Sequence, residues 1–447
     1  MGITSRREFL AASAKLALGG LGIGRFGMMN ASAQTNGDYR ALVCVFLFGG
    51  NDANNMVIPN DSRYAQYAAL RQTLALDQES LLPTPSKAGA GFGLHPNLGA
   101  IHSLYGQGKM AILANVGVLV KPTTRDEYRA KAVPLPSNLF SHSDQQQQWQ
   151  TGHVDYFRGT GWAGRTADAI AYMNEPSKFP TAVSLAGNPI LLSGAETKPA
   201  TLQSGSTPTL SGSGGTAFRA ARDAALQEII EMSSGLAMVQ QAGATLQDGI
   251  DIGKLIQSAT AAAPPLTTTF PNTNLGRQLA DIAKLIGVRS SLGMRRQIFF
   301  ASLGGFDTHS GQLATHQSLM TQLSDAISAF YLATEELGVA ESVVTFTESE
   351  FSRTMQPSAG AGTDHAWGSH HLIFGGRIEG GDIFGGFPDL ALGGPDDAGS
   401  RGSWIPSTSL DQYGATFASW FGVPPASLDA IFPNLPNFPK RDLGFLG

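Results

Sequence analysis

The sequence predicts an α/β fold: an open, doubly wound, mostly parallel sheet with helices on both faces and a helical insertion. Apolar runs of strand length alternate with stretches whose apolar residues recur every three or four positions. The runs are apolar throughout rather than at every second residue, as strands covered on both faces require. Polar, turn-prone segments follow several of these runs, and in open α/β sheets such turns gather at the carboxyl edge, where ligands bind.

The first element stands outside that fold. "SRREFLAASAKLALGGLGIG" sets Arg6 and Arg7 ahead of a weakly apolar stretch, and "ASAQ" places small residues at Ala31 and Ala33. This pattern resembles a twin-arginine export signal over residues 1–33, with the mature domain spanning 38–447. The twin-arginine translocase is then the partner during export, and the expected location is periplasmic or secreted. Cleavage would remove four basic residues against one acidic, making the mature chain more acidic than the full-length net charge of -5. The remaining apolar runs are too short to span a bilayer, so no membrane span is expected in the mature protein.

Strands are expected at 41–48 and 110–117, then near 182–185, 297–303, 342–347 and 371–376. Between them, Leu275, Leu279, Ile282 and Ile286 mark one helix. Leu319, Leu323, Ile327, Phe330 and Leu337 mark a longer one, which Gly338 stops. Two Gly/Ser/Pro/Thr-rich stretches, 204–215 and 260–272, bracket a helical block at about 216–259, read as an insertion that caps the sheet.

With 42% apolar and 15% charged residues the chain has the composition of a globular protein. The 30 basic residues face 35 acidic ones, so there is no basic field to hold nucleic acid. The single cysteine, Cys44, lies inside "ALVCVFLF" and has no partner for an intrachain disulfide. No HExxH, GxSxG, CxxC or P-loop pattern occurs.

Chemistry-bearing residues cluster at four turns. Asp52 follows the first strand, "GGFDTHS" brings Asp307 and His309, "ESEF" brings Glu348 and Glu350, and Asp364 with His365 precede "LIF". In a parallel sheet these turns meet at one edge, and carboxylates with imidazoles suit a divalent metal. "GTDHAWGSHHLIFGG" also holds His370 and His371, which either line a pocket or point into core or solvent.

Through "FLFGGNDANN", "SHSDQQQQWQTG", "GGFDTHS", "FTESEFSRT" and "GTDHAWGSHHLIFGG" the chain resembles the alkaline phosphatase and sulfatase superfamily, and more closely the DUF1501 family of exported bacterial proteins. The resemblance implies an alkaline-phosphatase-like fold and a two-metal centre of divalent ions (Zn, Mn, Mg or Ca), whose second nitrogen ligand either comes from His370 or is missing, leaving the second metal weak or the site with one metal. It places Asp52, Asp307, His309, Glu350 and His365 as metal ligands. Phe351 departs from the pattern, because the phosphatases usually carry histidine there; Arg353 and Arg377 either compensate by binding an anionic oxygen or are ordinary charges.

The resemblance further implies a nucleophile at the start of the helix that closes on Thr151 and Gly152. Counting back from that end reaches His142, with Ser141 beside it. Ser141 is the expected nucleophile, since a hydroxyl at a helix N-terminus near a divalent ion can ionise; Ser141, Ser143 and Asp144 are alternatively plain caps. The absence of cysteine in this segment excludes a formylglycine sulfatase. The expected function is an exported metal-dependent hydrolase or transferase of phosphate or sulfate esters, with an anionic ester as substrate. The alternative is a non-catalytic envelope binding protein on the same fold.

Overall fold

The first long apolar run, "RALVCVFLF", forms the central strand β1 (Arg40–Phe48) and is buried along its whole interior. A computed structural model describes residues 38–155, 159–205, 216–231 and 236–447. The chain divides into two units, Met1–Tyr39 and Arg40–Gly447, and the second holds the entire sheet. The leader expected over residues 1–33 lies outside the described residues.

Around β1 are β2 (Met110–Gly117), β3 (Ala182–Ser184), β4 (Arg296–Gly304), β5 (Val343–Glu348) and β6 (Ser369–Gly375). With three two-residue strands they make a nine-stranded sheet, whose longer strands run β2-β6-β5-β1-β4-β3 from side to side. Leu42, Cys44 and Phe46 of β1 pack among Trp149, Trp162 and Phe417, while the alternate Val43 and Val45 are equally buried. Burial of both faces explains the uninterrupted apolar run.

Pairing directions place the candidate residues. β1 is parallel to β4 and β5, and β3 is parallel to β4. β6 runs antiparallel to both β5 and β2. The turns after β1, β4 and β5 therefore share one edge with the segment that precedes β6, so residues after three strands and before a fourth come together.

Helices α1 (His142–Thr151), α2 (Thr216–Glu231), α3 (Ala237–Ala261), α4 (Asn274–Gly287), α5 (Gln312–Glu336) and α6 (Leu410–Phe421) are the main helical elements. In α4 the periodic Leu275, Leu279, Ile282 and Ile286 are all buried, and the Thr273 hydroxyl caps the helix by accepting from Gly276 N at 3.0 Å. Gly338, at φ +66°, ends the chain's turn out of α5.

The helical block spans α2 and α3. α2 and α3 pack on each other, and α3 meets α4 where Gly253, Ile256 and Ala259 are buried near its C-terminal end. At its other end Leu236 and Met238 are 63% and 86% exposed. The block leans on a neighbouring helix and leaves apolar side chains in solvent. Among the described residues no helix is long and apolar enough to cross a membrane.

Candidate metal centre

The turns at the functional edge touch because β1 ends in two glycines. Gly49 and Gly50 have φ of +116° and +78°, and a Cβ on either would lie 2.4 Å from Asp307 N or from the Phe351 ring respectively. The "FGG" run thus lets the β1 turn pack against the turns after β4 and β5.

Two imidazoles and one carboxylate converge there. His365 precedes β6, and its Nδ1 lies 2.7 Å from the Phe140 carbonyl. A carbonyl only accepts, so Nδ1 carries the proton and Nε2 keeps its lone pair. That Nε2 lies 3.4 Å from Asp307 Oδ1, and burial holds the imidazole pKa below its usual value. His142, the first residue of α1, has Nδ1 2.9 Å from the buried carboxylate of Glu350. Its Nε2 lies 3.4 Å from Asp307 Oδ2 and is buried without a hydrogen bond. The hydrogen bond to Glu350 raises the His142 pKa, burial opposing it.

Asp307 is the carboxylate between them. Partial burial pushes its pKa up, but the hydrogen bond and charge of Arg353, then His309 and His142, outweigh this and hold the acid below its usual value. His142, Asp307 and His365 each offer one ligand atom, all within 4.8 Å of one another. The buried, unpartnered Nε2 of His142, and a second imidazole whose other nitrogen is anchored, suit a resident cation: metal-bound histidines ordinarily donate their remaining N–H to a carboxylate or carbonyl. The donor set fits a divalent metal.

Of the other expected ligands, His309 adjoins the cluster, while Glu350 and Asp52 face protein groups. His309, half exposed, has Nε2 2.9 Å from Asp307 Oδ1 and 3.2 Å from His365 Nε2, at the rim of the cluster. Glu350 stands behind His142: its Oε1 accepts from Gly49 N, His142 Nδ1 and Gln146 Nε2, each at 2.9 Å, while Oε2 is buried without a hydrogen bond. Asp52 is buried against Arg71 and Gln312, both bonded to its Oδ2. A carboxylate after a buried strand looks the same in sequence whether its partner is a cation or a guanidinium. Arg71 sits at the end of helix Tyr64–Arg71, with no motif to announce it. Ser141 is the N-cap of α1, and its hydroxyl donates to Asp144 Oδ2 at 2.5 Å.

Phe351 and Arg353 have structural roles at the centre. The buried Phe351 ring stacks on His365 (centroids 4.6 Å apart) and lies 4.8 Å from His142. Arg353, also buried, donates to Asp307 Oδ1 at 2.8 Å, to Gly49 O at 3.3 Å and to the Thr363 carbonyl, so its donors are committed within the protein. Arg377 follows the opposite end of β6 from His365.

His370 and His371 belong to the β6 strand itself. His370 Nδ1 accepts from Asn115 N at 3.0 Å, and the His371 ring stacks on Tyr413 at 5.7 Å. Burial lowers the pKa of each to about 3, aided for His371 by His370. The unfolded chain therefore takes up the His371 proton first, near pH 6.5, and its contribution to stability is full above that pH and lost as pH falls. His371→Phe is expected to lose about 2 kcal/mol less stability than wild type between pH 7 and pH 5, measured by urea unfolding. Equal losses would show that His371 takes up its proton within the fold.

The fold and centre are those of an α/β protein with a histidine-carboxylate site at the edge of its sheet. Residues 39–398 match the family described as "Protein of unknown function (DUF1501)", and the chain belongs to that family. No curated protein matches the sequence. Similar solved structures include the PsFucS1 sulfatase from Pseudoalteromonas sp., at 10% identity and TM-score 0.34, covering 94% of this chain and 72% of that one. The lipoteichoic acid synthase LtaP from Listeria monocytogenes is similar at 7% identity and TM-score 0.31, covering 82% and 76%. A mutant of the alkaline phosphatase PafA gives 11% identity and TM-score 0.25, covering 71% and 64%.

Proposed function

We propose that the chain is an exported, metal-dependent hydrolase or transferase of phosphate or sulfate esters. The observation that carries the metal part is the convergence of His142, Asp307 and His365, with both imidazoles anchored through Nδ1. Two nitrogens and one carboxylate suit zinc, manganese or ferrous iron better than magnesium or calcium, which favour oxygen ligands. Such an ion supplies Lewis-acid polarisation of an ester oxygen. The ester part rests on the motif resemblance, and export on Arg6, Arg7 and the cleavage pattern.

Ser141 is the attacking group in this reading. Its O–H points at Asp144 Oδ2, a carboxylate held below its usual pKa by hydrogen bonds from Asn138 and then Ser141. Asp144 takes the hydroxyl proton as the Ser141 oxygen bonds to phosphorus or sulfur and the bond to the alcohol oxygen breaks; that oxygen takes the proton and leaves as the alcohol, and water or an acceptor alcohol then gives its proton to Asp144 as it takes the group, the proton returning to Ser141. The positive end of α1 favours the developing oxyanion.

Protein recovered from the periplasm without its leader and loaded with zinc or manganese is expected to hydrolyse aryl phosphate, phosphodiester or sulfate esters. Ser141→Ala is expected to keep its metal and lose at least 100-fold in kcat. Full activity in that variant would remove Ser141 from the mechanism. No turnover of any of the three ester classes by the metal-loaded wild type would overturn the enzyme reading, and recovery only from the cytoplasm with the leader intact would overturn export.

A further inference from the structure

Beside the centre, α1 presents a run that metal chemistry leaves unexplained, "QQQQ" at 145–148. Ser143, Gln146, Gln147 and Gln150 of this helix stand three or four residues apart and share one stripe of its surface. They form a wall of an open cleft of about 500 Å³, with Asn188 lining it from the segment after β3. That volume lies within the range of about 300–1,000 Å³ usual for small-molecule sites. Among the described residues that line the cleft, none is ionisable.

The lining selects a ligand class. Amide side chains offer both donors and acceptors, and a hydroxyl offers both, so this wall can pair with a ligand whose own groups both give and accept hydrogen bonds. Phe48, Phe300 and Ile190 add apolar surface for carbon-bound hydrogens. A nucleotide, a phosphorylated headgroup or an acidic peptide would have to place its charge against a wall with no counter-charge, at a cost in desolvation.

The cleft is coupled to the centre through one side chain. Gln146 lines it, and its Nε2 donates to Glu350 Oε1, the same oxygen that holds His142 Nδ1. A group lodged there is therefore on the same helix as the cation ligand.

We propose that this cleft binds an uncharged, hydroxyl-rich group of the saccharide or polyol class, the part of the substrate that carries the ester. Only the link to the ester rests on the function proposed above; binding of the neutral group stands apart from it.

The test is calorimetric titration of the full mature protein, metal-loaded and chelator-treated, with a panel of uncharged tetrasaccharides of glucose, galactose, mannose and xylose, and with a nucleoside monophosphate as the charged probe. At least one saccharide is expected to bind with Kd below about 1 mM in both metal states. Gln147→Glu and Asn188→Asp, which keep side-chain size and add charge, are each expected to weaken it at least tenfold while melting temperature stays within a few degrees. Three results would overturn the proposal: no saccharide in the panel binds, binding is unchanged in both variants, or the nucleotide binds more tightly than every saccharide. Because the readout is binding rather than turnover, a protein that hydrolyses no ester but binds a saccharide in this cleft would fail the enzymatic reading alone.

Discussion

Arg353→Met is expected to cost about 3 kcal/mol of folding stability, the largest stability effect of any single change at the centre. The side chain is fully buried, and its guanidinium serves Asp307 Oδ1, Gly49 O and the carbonyl and hydroxyl of Thr363. Methionine fills much of the volume but donates nothing, so buried carbonyls on two different turns lose their donor. Asp307 is 45% exposed and can turn to water, which keeps the expected cost at the lower end of that for breaking a buried ion pair. Arg353 also holds the Asp307 carboxyl down in pKa, so without it protons compete more strongly with a cation for that oxygen. Arg353→Lys restores the charge without the planar fork and is expected to recover only part of the loss. Chemical denaturation of the three proteins decides it, and a methionine variant within 1 kcal/mol of wild type would show that the guanidinium is not what joins these turns.

Glu350→Ala is expected to lower divalent-metal affinity by about 10–100-fold, the largest effect on the centre short of removing a ligand. Its Oε1 is the acceptor that orients His142, and the same atom receives Gly49 N and Gln146 Nε2. Without it the His142 ring loses the partner that keeps the proton on Nδ1 and the lone pair on Nε2. The buried Gly49 N is left short of an acceptor, adding a stability loss of about 1–3 kcal/mol, while half-buried Gln146 can turn its amide to the open cleft. Competition with a coloured chelator gives the affinity, and Glu350→Gln separates the two effects. The amide oxygen can still accept from His142, so that variant should retain most of the metal affinity. Unchanged affinity in the alanine variant would show that His142 needs no orienting carboxylate.

Strands β1, β2, β4 and β5 were legible because each is a long apolar run bounded by turn residues, and burial on both faces leaves no competing helical period. The reversal of β6 was not legible, since direction is set by which neighbours a strand pairs with and leaves no local trace in "SHHLIFG". Asp307 and His365 were legible as candidates because each flanks such a strand. The pairing of Asp52 with Arg71 depends on a helix 19 residues away in sequence and could not be read from either residue alone. At the start of α1 the choice between Ser141 and His142 turned on a single helical step, about 100° of rotation, which sequence cannot resolve. Phe351 packs against two imidazoles, and packing of that kind is visible only once the turns are assembled.

His142, Asp307 and His365 are expected to hold one divalent cation between them. Anomalous diffraction from crystals of the metal-loaded protein, collected on both sides of the absorption edge of the ion found by elemental analysis, tests it most directly. A single strong anomalous peak is expected, bonded to Nε2 of His142, Nε2 of His365 and a carboxylate oxygen of Asp307, and absent in the His142→Ala, His365→Ala double variant. A peak elsewhere with these three residues unoccupied, or full metal retention in the double variant, would contradict it.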